Sequence, residues 1–168
     1  VQVDSEKMSK SLNNFKTIRD ILQSYLPEVL RFFLIARHYR SPIDFTVDAM
    51  EDAEKNLKRM YETLLLLDAE LARHAPKGGQ APAEIVEEFD RLSSDWQKAL
   101  EDDLNTAAAL GHINGLIRMA NRILDDKALR KNAGGREVLE KIREMANAWH
   151  QILGVMGQSP QKFLDDLK

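Results

Sequence analysis

The sequence predicts an all-α fold: a helical bundle of about four longer helices, preceded by a loop and two shorter helices. Three observations predict it. Apolar residues recur at alternating steps of three and four along most of the chain. Good helix-starting residues, Thr17, Thr46 and Asn105, stand just ahead of those periodic stretches. Gly- and Pro-containing breaks at 75–82 and 154–160 punctuate the pattern.

Residues 1–16 carry no helical period. Val1 and Val3 suit the end of a strand, and Ser9 to Asn14 is polar and turn-rich. Thr17 and Asp20 have the spacing of a capping box, which predicts a short helix from Thr17 to about Tyr25. Pro27 then opens a second helix as its first residue, with Glu28 favourable at the positive end of the dipole. That helix is expected to run to about Tyr39 and to be buried. Val29, Leu30, Phe32, Phe33, Leu34 and Ile35 make it apolar on most sides. Ser41-Pro42 stops it.

Thr46 caps a long helix to about His74, with Met50, Ala53, Leu57, Met60, Leu64, Leu67 and Leu71 as its stripe. After the 75–82 loop, a fourth helix to about Asp102 turns Ile85, Phe89, Leu92, Trp96 and Leu100 inward. A fifth, recapped at Asn105-Thr106, carries Leu110, Ile113, Ile117, Ala120 and Leu124, and Asn132 to Gly135 is expected to break it. A sixth reaches Leu153 and buries Leu139, Ile142, Trp149 and Ile152, with Met145 or Ala146. Phe163-Leu164 suits a last turn. No pattern recurs between the helices, so a repeat protein is set aside.

Composition narrows the function. Hydrophobic residues at 43% and charged residues at 30% suit a globular protein. No apolar run approaches the length of a membrane span. There is no Cys, which excludes disulfides and thiolate zinc ligands within these residues. His38, His74, His112 and His150 have no metal-ligand spacing. The net charge of −3 argues against a generically basic nucleic-acid binder. Residues 1–45 hold seven Lys/Arg against five Asp/Glu, and the rest hold 17 against 22. Phosphate contact is therefore expected to be local and near the start. The first residues lack Met, a basic region and a long apolar stretch, so the start reads as a cut within a longer chain and no secretory signal is visible.

The informative stretch is Lys7-Met8-Ser9-Lys10-Ser11. Two ammonium groups three residues apart, on a loop with hydroxyl and backbone donors, suit a polyphosphate. By composition alone, a solvated charged turn is the commoner meaning of such a pentamer. The surroundings add to it. Lys7 to Phe15 reads KMSKSLNNF, His38 to Ile43 reads HYRSPI, and Asp102 to Thr106 reads DDLNT. With Thr17 to Asp20 and Pro27 to Leu34 between them, this order resembles the cysteinyl-tRNA synthetases of class I over essentially the whole chain. HYRSPI and DDLNT are more specific to that family than the pentamer. Asn13 stands where the family usually has Gly; Asn tolerates left-handed backbone, so the departure touches the loop's flexibility.

The resemblance implies four segments: the KMSKS loop that ends a catalytic domain (1–16), connecting helices (17–43), a DALR-type helical bundle (44–157) and a C-terminal tail (158–168). It implies an ATP-dependent ligase that activates cysteine, releases pyrophosphate and passes the cysteinyl group to tRNA(Cys). Lys7 and Lys10 match the family's catalytic, phosphate-contacting lysines. Ser9 and Ser11 join them in binding ATP with its Mg²⁺, and Met8 is expected to anchor the loop. The family's zinc and its Rossmann-type domain fall outside this chain, which is expected to hold no metal and to be inactive alone. A cytoplasmic, membrane-free setting follows from the same resemblance.

Two readings stay open for Arg37 and Arg40: contact with the inner face of the tRNA, or charge placement at a helix end with an ion pair such as to Asp44. His38 reads as structural. Asp102-Asp103 reads as a helix junction rather than a carboxylate pair for catalysis, and Trp96 and Trp149 read as core. His74, His112 and His150 are expected bystanders. Two alternatives remain: a cysteine:amino-sugar ligase of the same superfamily, and a stand-alone helical RNA-binding or scaffold module.

Overall fold

The computed structural model describes residues 2–3, 6–8 and 16–167. Thr17 caps helix α1, Ile18–Ile21, through the expected box: Asp20 N–H donates to Thr17 Oγ1 (3.1 Å), and Thr17 N–H to Asp20 Oδ2 (2.9 Å). The helix is one turn long rather than reaching Tyr25. None of its residues is fully buried, and Ile21 is only partly covered, so little tertiary burial offsets the entropy of ordering more of it. Helix α2, Pro27–Ile35, has Pro at its start as expected. It ends four residues before Tyr39, and its burial is one-sided. Val29, Leu30, Phe32 and Phe33 are inside, whereas Leu34 is exposed.

Helix α3, Val47–Leu71, is the axis of the molecule. Thr46 Oγ1 accepts from Ala49 N–H at 3.1 Å. Every stripe residue from Met50 to Leu67 is buried; Leu71, at the frayed end, is partly covered. Tyr61 and Thr63 are buried too, so α3 hides more than one face. Helices α2, α5, α7 and α8 pack around it. Helices α4, Ala83–Glu101, and α5, Thr106–Asp125, form a hairpin with extensive mutual packing. Asn105 caps α5 by accepting from Ala108 N–H (3.0 Å). Trp96 and Trp149 lie in the core, as expected, and their indole N–H groups find no partner among the described residues.

The break after α5 differs from the expected one. It falls at Asp125–Asp126, followed by the single turn α6, Lys127–Arg130. Asn132 then caps α7, Ala133–Leu153, by accepting from the N–H groups of Gly134 and Gly135. Those glycines open a helix instead of ending one. A Cβ on Gly134 would sit 2.2 Å from the Ala81 nitrogen. The missing side chain lets the 78–81 loop bond to the start of α7, with Ala133 N–H donating to the Gly78 carbonyl at 2.9 Å. Gly154 ends α7 in the left-handed conformation, φ +71°. Within the stretch read as a tail lies α8, Pro160–Asp166. Its Phe163 is fully buried and stacks on Tyr61 with ring centroids 4.0 Å apart.

One small sheet ties the start of the chain to the bundle. Strand β1, Gln2–Val3, pairs antiparallel with β2, Glu6–Lys7, and parallel with β3, Asp44–Phe45. Val3 and Phe45 are buried, and Phe45 meets Phe33 of α2 edge-on at 5.9 Å. Residues on either side of the expected boundaries near 16 and 43 therefore share one core.

Glu28 is the buried centre of the polar structure. It is 8% exposed and accepts from Tyr61 Oη (2.8 Å), Gln158 Nε2 (3.1 Å) and the Met156 amide. Gln158 N–H donates in turn to Tyr61 Oη at 3.2 Å. Burial, and then the Glu28 carboxylate, push the Tyr61 phenol well above its ordinary range, so it stays protonated as a donor.

Two substitutions probe this core. Leu64→Asp puts an unpaired carboxylate at a site 1% exposed, at a cost of several kcal/mol. Loss of the cooperative thermal transition is expected; an unchanged midpoint would remove Leu64 from the core. Glu28→Ala strips the acceptor from three donors, which is expected to cost roughly 2–4 kcal/mol. The calorimetric Tm should fall by roughly 5–15 °C, and an unaltered Tm would mean that the Glu28 cluster contributes nothing net.

Candidate functional site

Lys7 belongs to β2, where its backbone pairs with Gln2. Met8 is half-buried against the core, in keeping with an anchoring role. The Lys7 side chain and Ser9, Lys10, Ser11 and Asn13 lie outside the described residues. The sheet therefore defines how the chain enters the lysine loop.

The two most family-specific stretches, HYRSPI and DDLNT, meet in space. Asp103, in the α4–α5 turn, accepts from Tyr39 Oη (2.7 Å) and Arg40 Nη2 (3.0 Å) at Oδ1, and lies 2.8 Å from Arg40 Nε at Oδ2. His38 stacks on Tyr39 with centroids 5.0 Å apart, and its Nε2 is 3.8 Å from Asp103. The Arg40 guanidinium, and then the Tyr39 hydroxyl, hold the Asp103 carboxyl below its ordinary value. The pair is thus complete above the usual carboxylate range and is lost only as pH falls through that lowered value. Of the two readings of Arg40, the ion pair is present, with Asp103 as partner. Asp102-Asp103 is a helix junction, as expected, and its second carboxylate is structural.

Arg37 is exposed and without a side-chain partner among the described residues. It adjoins Ala36, which lines one end of a groove of about 440 Å³ between α2, α3 and α5, with Arg59, Asn114 and Arg118. Arg118 continues into a second groove of about 540 Å³ between α4 and α5, with Arg91, His112 and Arg122. The guanidiniums of Arg59, Arg91 and Arg118 form no hydrogen bond or ion pair among the described residues, whereas Arg122 pairs with Glu88. Several other arginines are engaged by structure. Arg143 holds Asp68 at 2.6 Å, and Arg136 donates to the Leu71 carbonyl at the end of α3. Three unpaired guanidiniums thus line the two adjoining grooves on one face.

Charge counting missed this face, because the later part of the chain is net acidic. Its signal was the polar spacing of Gly111, Asn114, Arg118 and Asn121 along α5, beside the apolar stripe. No three His, Asp or Glu side chains among the described residues cluster as metal ligands, and the chain has no Cys. These residues do not fit a zinc site. Among the described residues no helix is long and apolar enough to cross a membrane.

Residues 1–55 match the family model of the class I (C) tRNA synthetase catalytic domain, and residues 95–157 match the DALR domain. Cysteine–tRNA ligases align with all 168 residues. Identity is 58% for that of Nitratidesulfovibrio vulgaris strain Hildenborough, 53% for Oleidesulfovibrio alaskensis and 51% for Lawsonia intracellularis. The chain spans 35% of the length of each of these relatives. The lysine pentamer, the joined HYRSPI and DDLNT stretches and the helical bundle all fall inside those alignments, and the chain belongs to the cysteinyl-tRNA synthetase family.

Proposed function

We propose that the protein containing this chain is a cysteine–tRNA ligase acting in the cytoplasm. The cysteine carboxylate attacks the α-phosphorus of ATP, and pyrophosphate leaves; Mg²⁺ bound with the ATP would offset charge on the phosphates. A ribose hydroxyl at the 3′ end of tRNA(Cys) then takes the cysteinyl group, and AMP leaves. The zinc of the family belongs to a part of the protein other than this chain, as does the Rossmann-type domain. What carries this reading is identity above 50% to relatives so named, over every residue of the chain.

In this reading Lys7 and Lys10 place positive charge on the phosphates, with Ser9 and Ser11 as further donors. Charge shifts among the phosphate oxygens mainly in the transition state, so the ammonium groups contribute most there. The chain alone lacks the rest of the active site and is inactive. The bundle contacts the tRNA backbone through Arg37 and the unpaired Arg59 and Arg118, and Arg40 adds the donors that Asp103 leaves free. Such guanidiniums suit phosphate better than bases, because charge attraction carries no sequence information.

Two experiments on the full-length protein test this. Lys10→Ala should lower the single-turnover rate of adenylate formation by about 10²–10³ with little change in cysteine binding. Lys10→Arg should recover only part of the loss; a near-normal rate for Lys10→Ala would remove the loop from the chemistry. The double variant Arg59→Ala/Arg118→Ala should weaken tRNA binding and reduce the slope of log affinity against log salt by about two. An unchanged slope would mean that the groove does not meet RNA.

A further inference from the structure

The α4–α5 turn is strained where it meets the 36–43 connection. Asp103 and Leu104 both have left-handed backbones, with φ of +54° and +52°. Residues with a Cβ adopt that region at a cost. Packing does not offset it at Leu104, whose side chain is 65% exposed. The strain delivers the Asp103 carboxylate to Tyr39 and Arg40. Those groups are themselves exposed, and exposed ion pairs add little to stability. Stability of the pair therefore does not account for two consecutive strained residues.

What the carboxylate restrains does account for them. Three residues beyond Arg40, the Ile43 carbonyl accepts the Gln2 amide at 2.7 Å. Asp44 and Phe45 then pair with Gln2 and Val3, and β1 pairs with β2, which ends on Lys7. Pro42 removes freedom from the short path between Arg40 and Ile43. Burial of Phe45 and Val3 fixes the strands against the core. The turn of the bundle is thus linked, through hydrogen bonds and the short covalent path from Arg40 to Ile43, to the strand from which the lysine loop departs.

We infer that Asp103 is a positioning residue for β2: through Arg40 and the β3–β1–β2 pairing it sets where the strand that ends on Lys7, and leads into the lysine loop, lies against the bundle. The inference rests on the proposed role of that loop. Asp103 contacts no substrate, and its effect appears in the chemical step because misplacing a catalytic group slows reaction more than it weakens binding.

Asp103→Gly is the decisive substitution, because Gly takes φ +54° without strain and only the carboxylate is lost. Asp103→Asn keeps an acceptor and tolerates the same backbone. In full-length protein, Asp103→Gly should raise amide hydrogen exchange in β1 and β3, leave α5 and α7 protected, and leave Tm nearly unchanged. The turnover number for cysteine-dependent pyrophosphate exchange should fall about tenfold or more at constant KM for cysteine, with most of the rate restored in Asp103→Asn. Unchanged exchange in the strands, an unchanged rate, or a rate loss matched by loss of folded protein would each overturn the inference. Failure of the loop's own role registers separately, as a normal rate in Lys10→Ala.

Discussion

A carboxylate taken out of water must be met by donors, and in this chain Glu28 imposes that requirement on two distant segments. It stands in the first turn of α2. Its donors come from α3 (Tyr61) and from the connection between α7 and α8 (Met156 and Gln158). The end of the bundle is shaped around this need. Met156 accepts a left-handed backbone, φ +61°, to present its amide, and Phe163 of α8 closes over the Tyr61 ring. With its hydroxyl committed to Glu28 and its ring to Phe163, Tyr61 is held from both ends. The apolar packing around α3 gives the bundle its bulk, whereas Glu28 selects one arrangement of α2, α3 and α8.

A second polar junction, at Asp103, joins the connection just after α2 to the α4–α5 hairpin. Between the two, α2 is fastened at its first turn and just past its last. The helix is short and one-sided, yet through Phe33 it also packs against Phe45 of the small sheet. The helical domain therefore does two things at once. One face carries unpaired guanidiniums, and one edge supports the strand that leads into the lysine loop.

Much of this was legible in the sequence because it is local. Thr17, Thr46 and Asn105 each satisfy amides two or three residues onward, and a cap of that kind is written in the residues themselves. The α3 stripe from Met50 to Leu67 follows from the helical period alone. What stayed hidden depends on partners far away in sequence. Glu28 reads as a helix-dipole residue until Gln158, 130 positions later, folds onto it. Arg40 finds its carboxylate 63 positions away. Gly134 and Gly135 read as a breaker because the pattern that follows them cannot show the 78–81 loop lying against them. The groove escaped notice because Arg59, Arg91 and Arg118 come from three helices and are diluted by acidic neighbours in any linear window.

The parallel pairing of β1 with β3 bears on how such proteins can be recombined. The segment boundary expected from the sequence suggests that a catalytic module and a helical module could be exchanged between homologues at a join near residue 43. In space, that join runs between two strands whose backbones are hydrogen-bonded and whose side chains, Val3 and Phe45, share the core with Phe33. A chimera spliced there would bring together strands that had not evolved as neighbours. The smallest transplantable unit is therefore discontinuous: the bundle together with the few residues at the start of this chain that pair with it.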